Sequence, residues 1–385
     1  MKLRSIRILV VLFMLVCCSV SIAAGSEPTL KQKIGQMLML GFPGEELNAN
    51  DPIVHDILAQ RIGGVILFTQ NQKQKKASQK GNVRSPAQLK ELTAELQDYT
   101  RQAAKNQGNQ LYPLLIGIDY EGGKVNRLKP EMGFPQTVTA VQIASGSDAQ
   151  AAARAQQMAK TLKAAGVNLD FAPVVDVNVN PRNPIIAKYD RSYSADPQRV
   201  AKYAGIFSQA MAAQGILCSY KHFPGHGSST TDSHKGFVDI TKTWKQYELT
   251  PYQKLLNTPN GCELVMVGHL INRQLDSADY PATLSKMIIT GLLRNQLHFS
   301  GVVITDDLQM AAISQHYDVP TTVRLAINAG ADILMFGNQL TKPQDAQALV
   351  DMIYNEVQKG NISQQRIDEA YQHVMQLKLR LQSAG

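Results

Sequence analysis

Eight short apolar runs recur along the chain, at 37–41, 64–68, 114–119, 168–174, 216–222, 264–270, 302–307 and 332–336. Most are rich in Val, Ile and Leu without strict polar alternation, as expected of strands buried on both faces. Amphipathic segments with their own start and stop signals fit between most of them. Ser85-Pro86 opens a polar helix to about Asn106, Asp148 caps an Ala-rich one ending at Gly166, and Asp196-Pro197 starts another ending at Gly215. Further helices are expected over 284–297 and after Pro320, Pro343 and Ser363. Eight strands in β/α order predict one TIM (β/α)8-type barrel over 25–385. The alternative is a doubly wound open sheet. It calls for a Gly-rich phosphate loop after its first strand, and Gly41-Phe42-Pro43-Gly44 lacks the GxGxxG spacing.

Residues 1–24 stand outside this pattern. Lys2, Arg4 and Arg7 precede an apolar run over 8–18, and small residues follow through Ala23-Ala24. That layout predicts a signal peptide and hence an exported, periplasmic protein; an uncleaved anchor or a lipoprotein on Cys17 or Cys18 are the alternatives. Removing this segment, with its three cations and no acids, lowers the net charge from +8 to +5. An acid-free stretch over 69–90 then carries Lys73, Lys75, Lys76, Lys80, Arg84 and Lys90. The basic balance therefore describes one inserted loop, solvated or drawn to an anionic polymer, and not a nucleic-acid-binding surface. Only Cys218 and Cys262 remain after position 24. Two cysteines exclude a disulfide framework; both are expected as buried free thiols, with a single bridge as the alternative. Nothing in the sequence calls for an oligomer or an obligatory protein partner, so a monomer is expected.

Polar groups gather where the strands end. The third run leads into Asp119-Tyr120-Glu121-Gly122-Gly123, the fourth carries Asp170 with Asp176 just beyond it, on either side of Pro173, the fifth ends in Lys221-His222, the sixth carries His269 near its end, and Asp306-Asp307 ends the seventh. In a barrel this is the face that carries chemistry. The loop Lys221-His222-Phe223-Pro224-Gly225-His226-Gly227, continued to Asp232-Ser233-His234, holds three histidines on a backbone too rich in Pro and Gly to be helix. Glycoside hydrolysis needs a rigid nucleophile, which Asp306 at the end of Val302-Val303-Ile304 can be, and a proton donor. His234 can donate if Asp232 favours its protonated form, with Glu121 as its rival. A metal hydrolase on His222, His226, Asp232 and His234 is a second reading. Pro224-Gly225, however, forbids the helix that would place a His-x-x-x-His pair on one face. A non-catalytic sugar-binding protein is the third. Taken singly, Asp119 and Glu121 could begin a turn, Arg127 and Arg191 could lie on the surface, His269 could be a satisfied core histidine, Asp307 could brace the next segment and Trp244 could be packing.

Four motifs, in order, then resemble bacterial β-N-acetylglucosaminidases of glycoside hydrolase family 3. They are Asp119-Tyr120-Glu121-Gly122-Gly123-Lys124-Val125-Asn126-Arg127, the run Asn168 to Asp176, the histidine loop, and Ile304-Thr305-Asp306-Asp307-Leu308-Gln309-Met310. The resemblance implies a single barrel that removes terminal β-linked N-acetylglucosamine with retention, acting on muropeptides, peptidoglycan fragments or related glycans without a metal or other cofactor. It assigns Asp306 as nucleophile, His234 as acid and base with Asp232 as partner, and Asp119, Arg127, Arg191, Lys221 and His222 as sugar-binding residues. Glu121 then loses the acid role. A β-glycosidase or a phosphorylase of the same family is the alternative that the resemblance allows. Tyr189, Tyr193 and Val238 depart from the pattern, where Gly, Phe and Pro are frequent.

Overall fold

The computed structural model describes residues 27–60, 62–69, 81–106, 111–234 and 236–383. The expected leader at 1–24 and positions 70–80 of the basic insertion, with Lys73, Lys75, Lys76 and Lys80, lie outside the described residues. Eight strands form the centre: β1 (Leu38–Gly41), β2 (Gly64–Leu67), β3 (Leu115–Ile118), β4 (Leu169–Asp170), β5 (Leu217–Phe223), β6 (Leu264–Val267), β7 (Val302–Thr305) and β8 (Leu334–Phe336). From β1 to β7 each pairs in parallel with the next in sequence, and β1 pairs in parallel with β8. The ring closes between β7 and β8 through a single parallel bridge, Ile304 to Ile333. This is the expected TIM-type barrel; an open sheet in this order would leave β7 and β8 at its edges.

Alternation along each strand sorts the core into two layers. Met39, Ile66, Leu115, Leu169, Leu217, Leu264, Met266, Val302, Ile304 and Met335 fill the inside of the ring with Phe171. Their neighbours Leu38, Val65, Ile116, Val265 and Val303 pack outward with the helical shell. Gly117 is small because the Phe171 ring occupies its inner side: a Cβ there would sit 2.7 Å from the ring. Followed toward the carboxyl ends of the strands, the inward positions are Asp119 after Leu115 and Gly117, Lys221 after Leu217 and Ser219, and Asp306 after Val302 and Ile304.

The helices begin where the sequence signals them. One runs Pro86–Asn106; another, Pro197–Ala212, is capped by the Asp196 carboxylate accepting from the Gln198 N–H. The Ala-rich helix Asp148–Ala164 takes its cap one residue earlier than expected. Ser147 and Gln150 bond reciprocally to the first turn, leaving Asp148 in it. The segment Met287–Gln296 is a π-helix. Beneath the barrel, the fully buried Asp332 accepts from Arg294 at 2.5 Å and Arg366 at 2.5 Å. It also accepts from the Val303 N–H at 2.9 Å, tying the closing strand to the shell.

Cys218 and Cys262 form a disulfide, so the expectation of two free thiols is corrected. The reason is barrel topology. Cys218 near the start of β5 and Cys262 just before β6 lie on adjacent parallel strands, with Cα atoms 4.7 Å apart.

Candidate active site

The carboxyl ends of the strands enclose a cavity of about 390 Å³, lined by all eight residues singled out in the sequence: Asp306, His234, Asp232, Asp119, Arg127, Arg191, Lys221 and His222. They come from β5 and from the loops after β3, β4, β5 and β7, so nothing short of the closed ring brings them together.

One wall is a charge network. Lys221 Nζ donates to Asp119 Oδ1 and lies 2.8 Å from both Asp119 Oδ1 and Glu121 Oε1. Arg127 donates to the other Asp119 oxygen at 3.0 Å. Arg191 grips Glu121 through Nε at 2.8 Å and Nη2 at 2.7 Å, a two-point contact that fixes the plane of the guanidinium. Burial alone would push Asp119 up, but Lys221 and Arg127 outweigh it and hold the carboxyl far below the usual carboxylate range. Glu121 is likewise opposed by burial and held down by Arg191 and Lys221. Burial would discharge Lys221, yet Asp119 and Glu121 keep its ammonium charged. Glu121 is therefore a counter-ion behind the wall. It does not line the cavity, which removes it as a rival proton donor.

The histidine loop is organised by Asp176. Its Oδ2 lies 2.7 Å from His222 Nδ1, and its Oδ1 accepts from the backbone N–H of His226 at 2.7 Å and of His222 at 3.2 Å. The His222 ring is thus turned with Nε2 toward Arg191, 3.3 Å away. His226, proposed above only as a metal ligand, is buried with Nδ1 on Ser229 Oγ at 2.8 Å, and burial pushes it down to about 4. Gly227 is required here because a Cβ would lie 1.6 Å from the Val177 carbonyl oxygen. Trp244 packs beneath, donating Nε1–H to the Pro224 carbonyl. Among the described residues no group of three or more His, Cys, Asp or Glu side chains is placed to hold a metal ion.

His234 stands further out on the same loop, with its side chain 46% exposed. Asp232 Oδ1 receives its backbone N–H at 3.0 Å and lies 2.8 Å from Nδ1, which orients the ring. The hydrogen bond from His234 brings Asp232 down to about 2. For His234, burial works against the cation, but the Asp232 hydrogen bond and the Asp306 charge more than offset it and raise the pKa. Asp306 shows the converse. Burial would raise it, yet His269, His222 and His234 hold it below the ordinary range. The Asp307 N–H donates to Asp306 Oδ1 at 2.8 Å and fixes the carboxylate.

Strand alternation separates the two neighbouring aspartates. Asp307 accepts from the N–H groups of Gln309 at 3.0 Å and Gly337 at 3.1 Å, bracing the loops after β7 and β8, and burial raises it to about 6. His269 is a buried brace between Thr283 Oγ1 and the Asp307 carbonyl. Arg127 and Arg191, open to a surface reading in isolation, both face the cavity. Asp170 is buried and accepts from the Tyr120 N–H. Val238 pairs with Leu270 in a short parallel ladder, and Tyr193 is buried against Tyr203. The lining residues that sequence reasoning did not assign include Lys124, Tyr189, Phe68, Met310 and Gln339. Lys124 and Met310 lay inside quoted motifs and Tyr189 was visible only as a departure; Phe68 and Gln339 carried no signal, being ordinary residues until the loops fold together.

The Glycosyl hydrolase family 3 N terminal domain matches residues 29–377. The chain belongs to glycoside hydrolase family 3. Among curated members it is similar to the β-hexosaminidase A of Pseudoalteromonas piscicida, 32% identical over 93% of this chain and 62% of that one. It is also 32% identical to the β-hexosaminidase of Idiomarina loihiensis, over 82% of this chain and 92% of that one. Of solved family 3 structures, a β-N-acetylglucosaminidase from Paenibacillus sp. superposes with a TM-score of 0.80 at 34% identity, covering 93% of this chain and 64% of that one. The chain therefore spans less than two thirds of the first and last of these relatives and most of the second.

Proposed function

We propose that this family 3 chain is an exo-acting, retaining β-N-acetylglucosaminidase that releases terminal β-linked N-acetylglucosamine from muropeptides, peptidoglycan fragments or related glycans. The observation that carries the reading is the opposite charge poise of two groups facing one cavity. Asp306 is held ionised, and His234 is held toward its protonated form by Asp232. An Asp306 oxygen attacks the anomeric carbon, the bond to the leaving oxygen breaks, and His234 gives that oxygen its proton. The sugar is carried as an ester on Asp306. Water then attacks the same carbon, His234 takes its proton, and the carboxylate departs. The usual retaining pair is two carboxylates, so the histidine replaces one of them. Asp119, Arg127, Arg191, Lys221 and His222 hold the sugar hydroxyls, their charges fixed in advance by the network behind them. Similarity to β-hexosaminidases and to a β-N-acetylglucosaminidase supports the hexosaminide specificity.

The test compares chromophore release from aryl β-N-acetylglucosaminide and aryl β-glucoside, with EDTA present, by wild type and Asp306→Ala. Turnover of the first substrate alone, lost in a folded Asp306→Ala protein, is expected. Activity stripped by EDTA, or full activity in the variant, overturns the assignment. We further propose export on the charge and hydropathy pattern of residues 1–24, a reading supported by the Cys218–Cys262 bridge, since such bonds persist in oxidising compartments. Recovery of the protein in the cytoplasmic fraction with both thiols free would overturn it.

A further inference from the structure

Asp306 directly follows a barrel strand, whereas His234 is carried by a loop, so its place in the cavity depends on what that loop touches. Asp232 orients the ring but belongs to the same loop and cannot fix where the loop lies. Two contacts outside the loop bracket His234. On one side, the Ser233 carbonyl accepts from the Ala312 N–H at 3.2 Å. Ala312 lies in the first turn of the short helix Ala311–Ser314, where an N–H has no acceptor within the helix. On the other side, Gly236, with φ 144°, turns the chain. Phe237 then lays its ring on His316, the centroids 3.5 Å apart and the planes 17° from parallel. Phe237 is 40% exposed, so packing in the core does not account for a phenylalanine there. Beyond it the chain is anchored by the pairing of Val238–Asp239 with Leu270–Ile271. Ala312 and His316 belong to the stretch that leaves β7 at Asp306 and passes Met310 at the cavity. The loop that carries the proton donor is therefore docked on the continuation of the strand that carries the nucleophile.

We propose that Phe237 and His316 are positioning residues for proton transfer: their stack, together with the Ser233–Ala312 hydrogen bond, holds His234 within reach of the leaving oxygen while Asp306 attacks. Neither ring lines the cavity, so both act through the loop. The backbone bond is open to any side chain at either position; the stack is the part that these two residues specify. A ring pair of this kind biases a docking equilibrium by about 2- to 10-fold. Undocking leaves Asp306 and the sugar-binding wall in place. The loss therefore falls on the step in which His234 gives its proton, and it grows as the leaving oxygen becomes more basic. This inference rests on the glycosidase reading and adds to it the residues that place its proton donor.

The experiment measures kcat/KM on a series of aryl β-N-acetylglucosaminides whose leaving groups span a range of basicity. The proteins are wild type, Phe237→Ala, His316→Ala, the double variant Phe237→Ala/His316→Ala, His316→Phe, and His234→Ala as the reference for a lost proton donor. Both rings are at the surface, so the substitutions leave the core intact. Phe237→Ala and His316→Ala should each lose up to about 10-fold on the most basic leaving group and much less on the least basic, a weaker copy of His234→Ala. The double variant should lose no more than the larger single loss, because either substitution removes the same contact. His316→Phe keeps a ring in place and should stay near wild type. Losses equal across the series, additive losses in the double variant, unchanged rates in both single variants, or a His316→Phe protein as slow as His316→Ala overturn the positioning role. If His234→Ala alone loses selectively, the glycosidase reading stands without it. If His234→Ala loses equally on every leaving group, the proton-donor assignment fails and the positioning role falls with it.

Discussion

Breaking the Cys218–Cys262 bond should lower stability without touching the site. The bond closes a loop with a sequence separation of 44 residues. In the chain-entropy account, releasing a loop of that length gives the unfolded state about 4 kcal/mol, and measured values for native bridges run about 2–5 kcal/mol. A chain of this size has an unfolding entropy of about 0.75 kcal/mol/K, so about 2–4 kcal/mol corresponds to about 3–5 °C in Tm. The bridge lies at the start of β5 and just before β6, whereas the cavity lies at the opposite ends of the strands. Activity below the transition should therefore be unchanged. The assay is thermal unfolding of protein produced through the export route, with and without reductant. This comparison changes the bond and no packing atoms; Cys218→Ala/Cys262→Ala serves as a second comparison. Identical Tm values with and without reductant, where mass analysis has established loss of the bond, would refute the argument. So would two titratable free thiols in the oxidised native protein.

The site makes its own demands. The glycosylation step needs His234 protonated, and its pKa is raised by the Asp232 hydrogen bond and the Asp306 charge, so kcat/KM should fall as pH rises through a value higher than that of a free histidine. Asp232→Asn should move that fall to lower pH and slow aryl substrates with poor leaving groups most; equal losses across leaving groups would argue against the proton-donor role. Glu121→Gln leaves Lys221 and Arg191 short of a counter-charge and should cost on the order of 3 kcal/mol by denaturant unfolding, with KM rising more than kcat falls; an unchanged KM would show that the wall does not position the sugar-binding groups. Gly227→Ala meets the Val177 carbonyl and should destabilise the loop by at least about 1–3 kcal/mol, read as a lower Tm together with lost activity. Burial raises Glu248 to about 8, so the native state holds a proton that the unfolded chain gives up above about 4.5. Stability should therefore decline from about pH 4.5 to 8, and Glu248→Gln should flatten that decline in unfolding curves taken across the range.

Much of this was legible in the order of residues. Runs such as Val302-Val303-Ile304 are apolar without alternation because both faces of a barrel strand are buried, one by the ring interior and one by the helices. The Ser85-Pro86 and Asp196-Pro197 starts are local chemistry, settled within one turn of backbone. The histidine loop, the Asp119 to Arg127 segment and the Asp306-Asp307 pair identified the candidate site because their polar groups interrupt strands that have every reason to be apolar.

Closure decided the rest. Asp306 and Asp307 both reach the cavity, and only the folded loops show that Asp307 is taken up by the Gln309 and Gly337 N–H groups; likewise Glu121 became a counter-ion only once Arg191, seventy positions away, came beside it. Cys218 and Cys262 read as unpaired because a bridge depends on Cα separation, and parallel neighbours bring together residues that are remote in sequence. Tyr189 and Lys124 came to line one cavity only when separate loops met over the same opening. Propensity, caps and the two-faced burial of each strand act over a few residues and so are written along the chain. Counter-ions, the disulfide and the lining of the cavity depend on distances across the ring, and those exist only after it closes.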